Sequence, residues 1–217
     1  MKLPLSKILR KREHIATAAL QDEILKLMYS IAPEIVLHGG TAVWRCYGGS
    51  RFSEDLDFIL QPEEAENLKE VFTEALKSRS LVLNKYKKTE NTIFAKVSDG
   101  IVEIRMEIGL RKAKDHVVKS YELIDGTFMD IFTLSPEILV LEKISAYKNR
   151  RLVRDIYDIY QLRNKLTDEE IVRTELRQLL RTLEPPIDEQ ELRALVYVGA
   201  IPSFQHIADT LRSRFLV

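Results

Sequence analysis

Apolar residues recur at helical spacing from Ser6 to about Ser30, through Ile8, Leu9, Ile15, Ala18, Ile24, Leu25 and Met28, and Pro33 closes the run. Residues 34–38 then read as a short buried strand stopped by Gly39-Gly40, with a short helix over 41–47 and a turn at 48–50. Residues 55–60 (DLDFIL) alternate polar and apolar, as a strand with one face on a core does. The spacing predicts an amphipathic helix over 63–78, with Leu68, Val71, Phe72, Ala75 and Leu76 on one face. Strands follow over 81–87, 92–97 and 102–108, the last two joined by Ser98-Asp99-Gly100, and residues 126–132 add another.

From Ser135-Pro136-Glu137 onward the pattern turns helical, with Ser135 a good N-cap and proline at the first helical position. Further helices are expected over 153–164, 168–183, 189–196 and 203–215, separated by Pro185-Pro186 and Pro202. The fold class is therefore α+β: a mixed-sheet lobe with its N-terminal helix over 1–134, then an all-helical lobe over 135–217.

Composition narrows the class without deciding it. Hydrophobic residues make up 45% and charged residues 30%, the balance of a globular protein. Lys and Arg number 33 and so do Asp and Glu, so any basic surface must come from uneven distribution. The single cysteine, Cys46, excludes an internal disulfide and suits a reducing cytoplasm; it reads as a small buried residue rather than a nucleophile. No apolar run approaches the roughly 18 residues a membrane span needs. A cytoplasmic protein that does not enter the membrane is the expectation.

Three local features carry candidate chemistry. Gly39-Gly40 follows a strand and opens a helix, where backbone N–H groups can face phosphate oxygens; alone this is a weak signal. Asp55 and Asp57 begin a strand two residues apart and so project from one face, although aspartate is depleted in strands. Two carboxylates that close repel unless a cation sits between them, and oxygen ligands suit Mg²⁺ or Mn²⁺ rather than zinc. Glu103, Arg105 and Glu107 share one face of a later strand, so Glu107 is a candidate third carboxylate, with an ordinary Arg–Glu ladder equally compatible and Glu103 not excluded.

Together these resemble the DNA polymerase β-like nucleotidyltransferase superfamily. The stretch HGGTAVWRCYGGSRFSEDLDF is similar to the opening motif of the AbiEii/AbiGii-type toxins of toxin–antitoxin pairs, to which the MenT toxins are related: Gly39, Gly40, Thr41, Ala42, Arg51, Phe52, Ser53, Asp55 and Asp57 match. Glu142-Lys143 and Arg154-Asp155-Ile156-Tyr157-Asp158 match that family's later helical signature, while Val43 and Glu107 stand where Leu and Asp are commoner. The resemblance implies a metal-dependent enzyme moving a nucleoside monophosphate from an NTP to a hydroxyl. Asp55, Asp57 and Glu107 would be its metal and catalytic carboxylates. Gly39, Gly40, Thr41, Arg51 and Ser53 would bind nucleotide, Lys143 would contact the triphosphate, and Asp155 would support the site. It also implies an RNA acceptor, the 3′ end of a tRNA first, and an antitoxin protein as partner.

The residues themselves leave alternatives open. Lys143 reads as a solvated helix lysine, and Asp155 and Asp158 as intrahelical partners of nearby arginines. Arg45, Arg51, Lys85, Lys87, Lys88, Lys148, Arg150, Arg151 and Arg154 suit an RNA backbone or merely solvated faces. His38, Trp44 and Tyr47 read as packing residues. A protein-modifying transferase and a catalytically silent binding module with the same fold are the competing functions.

Overall fold

The computed structural model describes residues 3–216. A four-residue helix, α1 (Leu5–Ile8), precedes the long α2 (Arg12–Ile31). The expected single N-terminal helix is thus two, because the backbone turns extended at Leu9 and Lys11. The first strand, β1 (Val36–His38), runs straight into α3 (Gly39–Tyr47), and β2 (Leu56–Leu60) follows. The helical stretch after it is a short 3₁₀ turn at Pro62–Ala65 and then α4 (Leu68–Lys77).

Five strands come next: β3 (Val82–Lys88), β4 (Thr92–Ser98), β5 (Glu103–Leu110), β6 (His116–Glu122) and β7 (Phe128–Leu134). β6 is absent from the sequence expectation. It is an edge strand, mostly exposed except at Tyr121 and Glu122, so it shows no alternating apolar face. The seven strands form one mixed sheet in the order β3-β4-β5-β2-β1-β7-β6. β2 runs parallel to β5 and β1 parallel to β7, and the other neighbours are antiparallel.

Alternation along β4 and β5 decides which face is buried. Ile93, Ala95 and Val97, with Ile104, Met106 and Ile108, point inward, while Phe94, Arg105 and Glu107 point out. On the inward side lie Ile24, Leu25 and Met28 of α2 and Phe72 and Leu76 of α4, all buried. Tyr29 fixes α2 to the sheet: its hydroxyl donates to the Phe132 carbonyl at 2.6 Å and accepts from the Leu37 amide at 3.2 Å.

Ser135 caps α5 (Pro136–Arg150), its side chain accepting from the Ile138 amide at 3.4 Å. α6 (Val153–Leu162), α7 (Glu170–Arg181), the short α8 (Leu192–Leu195) and α9 (Phe204–Phe215) complete the chain. The chain divides into two compact units: residues 1–46 with 53–134, and residues 47–52 with 135–217. The excursion of 47–52 into the helical unit has a local cause. The Phe52 amide donates to the Leu195 carbonyl and the Tyr197 amide to the Ser50 carbonyl, while the Ser50 and Tyr157 hydroxyls lie 2.6 Å apart. Among the described residues no helix is long and apolar enough to cross a membrane.

Candidate active site

The junction between β1 and α3 is built around one glycine. Gly39 has φ of +71°, a conformation L side chains rarely adopt. A Cβ there would stand 3.0 Å from the Asp57 Cγ and overlap the carboxylate itself. The glycine is therefore required twice, by its dihedral and by Asp57 filling the space above it. Gly40 and Thr41 behind it are buried.

The sheet register then sets the neighbours of Asp57. It pairs with His38 on β1 and with Glu107 on β5, so Asp57 and Glu107 lie side by side on adjacent parallel strands, about 4.8 Å apart in backbone spacing. Burial raises the Glu107 carboxyl above the ordinary glutamate range, and Asp57 and then Asp55 raise it further, with His38 working against them. Glu103, in contrast, is engaged elsewhere. It accepts from Lys96 at 2.6 Å and from Asn84 at 2.9 Å, and those bonds hold its pKa below the usual value. Of the two strand glutamates, Glu107 is the one beside Asp57.

Asp55 sits one residue before β2, where the Thr41 hydroxyl donates to its backbone carbonyl at 2.6 Å. Its carboxylate faces Arg105, which donates from Nε at 3.0 Å and from Nη2 at 2.8 Å. As the side chains stand, no three His, Cys, Asp or Glu groups among the described residues converge to hold a metal. The donor set nevertheless suits one. Asp57 and Glu107 repel each other in a way a cation between them would relieve. The Arg105–Asp55 pair is solvent-exposed, 66% and 34% by side chain, and such pairs contribute only about 0–1 kcal/mol. A pair that weak would oppose a competing ligand of the carboxylate only slightly. These groups line a cleft of about 190 Å³ together with Phe94 and Met106.

Arg51, Lys143 and Asp155 belong to the helical unit. Arg51 is buried, 4% exposed, and gives both terminal bonds to Asp158, Nε to Oδ1 at 2.5 Å and Nη2 to Oδ2 at 2.6 Å. Lys143 is 7% exposed and lies 2.8 Å from Asp158 and 3.8 Å from Asp155, rather than extending into solvent. Asp155 itself receives two bonds from Arg150, at 2.7 and 2.8 Å. These five groups carry three positive and two negative charges within the helical unit. The first motif thus straddles the two units: Arg51 and Phe52 fold with the helices, and Ser53 to Asp57 with the sheet.

The Thr41 hydroxyl and the Arg51 guanidinium have partners inside the protein, so each holds backbone or helix in place. Arg45 is no RNA contact: it is 2% exposed, paired with Asp22, and stacked between the Trp44 and Tyr121 rings. Sequence reasoning gave no role to the pairing of Asp55 with Arg105; the signal available was the outward parity of Arg105 beside Glu107. Ser53 is half-buried, and its carbonyl accepts from Gln21 at 2.9 Å. Burial pushes the Cys46 thiol up to about 12, which excludes a reactive thiolate.

Comparison with known proteins agrees with the motif resemblance. The family model described as "Nucleotidyl transferase AbiEii toxin, Type IV TA system" matches residues 27–198. Similar solved structures include JHP933 from Helicobacter pylori, at TM-score 0.63 and 21% identity, covering 95% of this chain and 91% of that one. A second H. pylori structure, titled as a nucleotidyltransferase, gives TM-score 0.65 at 21% identity, covering 95% of each. The nucleotidyltransferase toxin MenT4 from Mycobacterium tuberculosis gives 0.58 at 19% identity, covering 95% of this chain and 84% of that one. At these identities the likeness establishes the polymerase β-like fold. No curated protein matches the sequence.

Proposed function

This chain belongs to the AbiEii family of nucleotidyltransferase toxins, and from that premise we propose that it moves a nucleoside monophosphate from an NTP to a hydroxyl of an RNA, the 3′ end of a tRNA first among acceptors. The observation that carries the reading is the placement of Asp57 above Gly39 and beside Glu107. It puts two carboxylates next to the head of α3, where helix N–H groups attract phosphate.

Asp55 and Asp57, with Glu107 as third carboxylate, would hold Mg²⁺ or Mn²⁺. When bound, such an ion acidifies the attacking hydroxyl and offsets charge on the triphosphate. The acceptor oxygen forms a bond to the α-phosphorus, the bond to the bridging oxygen breaks, and pyrophosphate leaves. Glu107, beside Asp57 on the adjacent strand, serves either as that third ligand or as acceptor of the hydroxyl proton. Gly39 and Gly40 are assigned to the phosphates through their motif at the head of α3, and the Ser53 hydroxyl adds a donor. Lys143 and Asp155 are assigned to the triphosphate and its support through their motif. An antitoxin protein is the expected partner.

The test is incubation with each of the four α-labelled NTPs and a mixture of cell RNA and cell protein. Label in the RNA fraction is expected. Label confined to protein would overturn the RNA acceptor, and no label in either fraction would overturn the transfer.

A further inference from the structure

The outward face of β3, β4 and β5 carries an arrangement that the reaction above does not use. Two cross-strand rows run over it. In one, Lys87 pairs with Phe94, Phe94 with Glu107, and Glu107 with Asp57. In the other, Lys85 pairs with Lys96 and Lys96 with Arg105, whose guanidinium reaches Asp55. Each row starts at basic residues on the edge strand and ends at a carboxylate of the site. With strands about 4.8 Å apart, the first row spans roughly 14 Å.

The cations on this face are not equivalent. Lys96 is paired with Glu103 and Arg105 with Asp55. Lys85 and Lys87 are exposed and have no ion-pair partner among the described residues. Between them and the carboxylates stands Phe94, 41% exposed. A single exposed aromatic is ordinary on a protein surface. This one occupies the only outward apolar position of β4, flanked in register by a lysine and by Glu107. A groove of about 390 Å³ lined by Lys85, Lys87, Lys96 and Phe94 adjoins the carboxylate cleft, and Phe94 and Arg105 border both.

We propose that this face holds the acceptor as a single strand of nucleic acid, with Phe94 stacking one base and Lys85 and Lys87 meeting the phosphates behind it. The inference rests on the nucleotidyl transfer proposed above and specifies where its acceptor lies. Unpaired cations along a groove with one aromatic face are what a single strand requires: phosphate contacts that follow the backbone and a π-surface open to any base. A duplex presents no free base to Phe94. A folded protein offering one hydroxyl has no need of a stacking surface one strand away from Glu107.

The experiment is binding of a labelled single-stranded RNA of about ten nucleotides to the full chain by fluorescence anisotropy, across a salt series. Arms with DNA of the same sequence and with duplex RNA separate the sources. Phe94→Ala should weaken single-strand binding about five- to a hundredfold, the range for loss of one base stack, and Phe94→Trp should restore it. Lys85→Ala with Lys87→Ala should reduce the slope of log K against log salt by about 1.4. Calorimetric binding of NTP should be unchanged in the double lysine variant, whose side chains line only the neighbouring groove. Wild-type affinity in Phe94→Ala, or duplex bound as tightly as single strand, overturns the proposal. Loss of transfer in an Asp57 variant that still binds the strand through Phe94 keeps both readings. Strand binding through Phe94 by a wild-type chain that transfers no nucleotide would sink the transferase reading alone.

Discussion

Asp57 occupies the space in which a Cβ on Gly39 would have to sit. That contact joins two stretches of sequence that look independent: the Gly-Gly turn after β1 and the D-x-D start of β2. The antiparallel pairing of His38 with Asp57 brings them together, and the parallel pairing of β2 with β5 adds Glu107.

Gly39→Ala should therefore damage both stability and chemistry. The forced dihedral costs roughly 1–3 kcal/mol, and displacement of Asp57 should lower nucleotide transfer about a hundredfold. Thermal melting with a transfer assay on the same preparation checks both. Transfer near the wild-type rate would mean the Asp57 position is not critical.

Arg105→Ala leaves Asp55 without its bidentate partner. Since that exposed pair competes with a metal for the carboxylate, Mn²⁺ affinity should rise by up to about fivefold. Titration followed by electron paramagnetic resonance reads the free ion directly; a fall in affinity would show that Arg105 supports the metal site.

Arg51 and Asp158 lie 107 residues apart in sequence and form a buried bidentate pair shared with Lys143. Burial raises the Asp158 pKa, but Arg51 and then Lys143 outweigh it, so the net shift is downward. Its folded pKa is below the unfolded value. The stabilisation is thus present above about pH 4 and lost as pH falls through the folded pKa. Asp158→Ala should cost about 3–5 kcal/mol at neutral pH, roughly 10 °C in melting temperature, with the gap to wild type narrowing toward pH 3. Melting curves across that range test the sign.

The pKa of Glu107 is raised by burial first and by Asp57 next. In the metal-free chain protonation therefore persists to higher pH than for an ordinary glutamate. Asp57→Asn removes the like charge, and an NMR titration of Glu107 in that variant should give a lower pKa. An unchanged value would mean the two carboxylates do not sense each other.

The local signals in the sequence were those that depend on near neighbours. Ser135 with Pro136 marked the start of α5, Asp99-Gly100 marked the β4–β5 hairpin, and the parity of β5 placed Glu107 on the same face as Arg105. The fold class and the nucleotidyltransferase resemblance followed from such signals and from the motif spacing. β6 was not legible, because an exposed edge strand need not alternate. Nor were the states of Arg51, Lys143 and Arg45, since burial of a cation is decided by a partner far away in the chain. Asp55 shows the same limit: its position one residue before β2 could be read, and its contact with Arg105 could not.

The most direct measurement compares wild type with Asp57→Asn, an isosteric change, for divalent-cation-dependent transfer of α-labelled NMP with release of pyrophosphate. The account predicts cation-dependent transfer by wild type and a loss of about a thousandfold or more in the variant, with its melting temperature kept within a few degrees. Transfer by Asp57→Asn close to the wild-type rate, or by wild type in excess chelator, would contradict it.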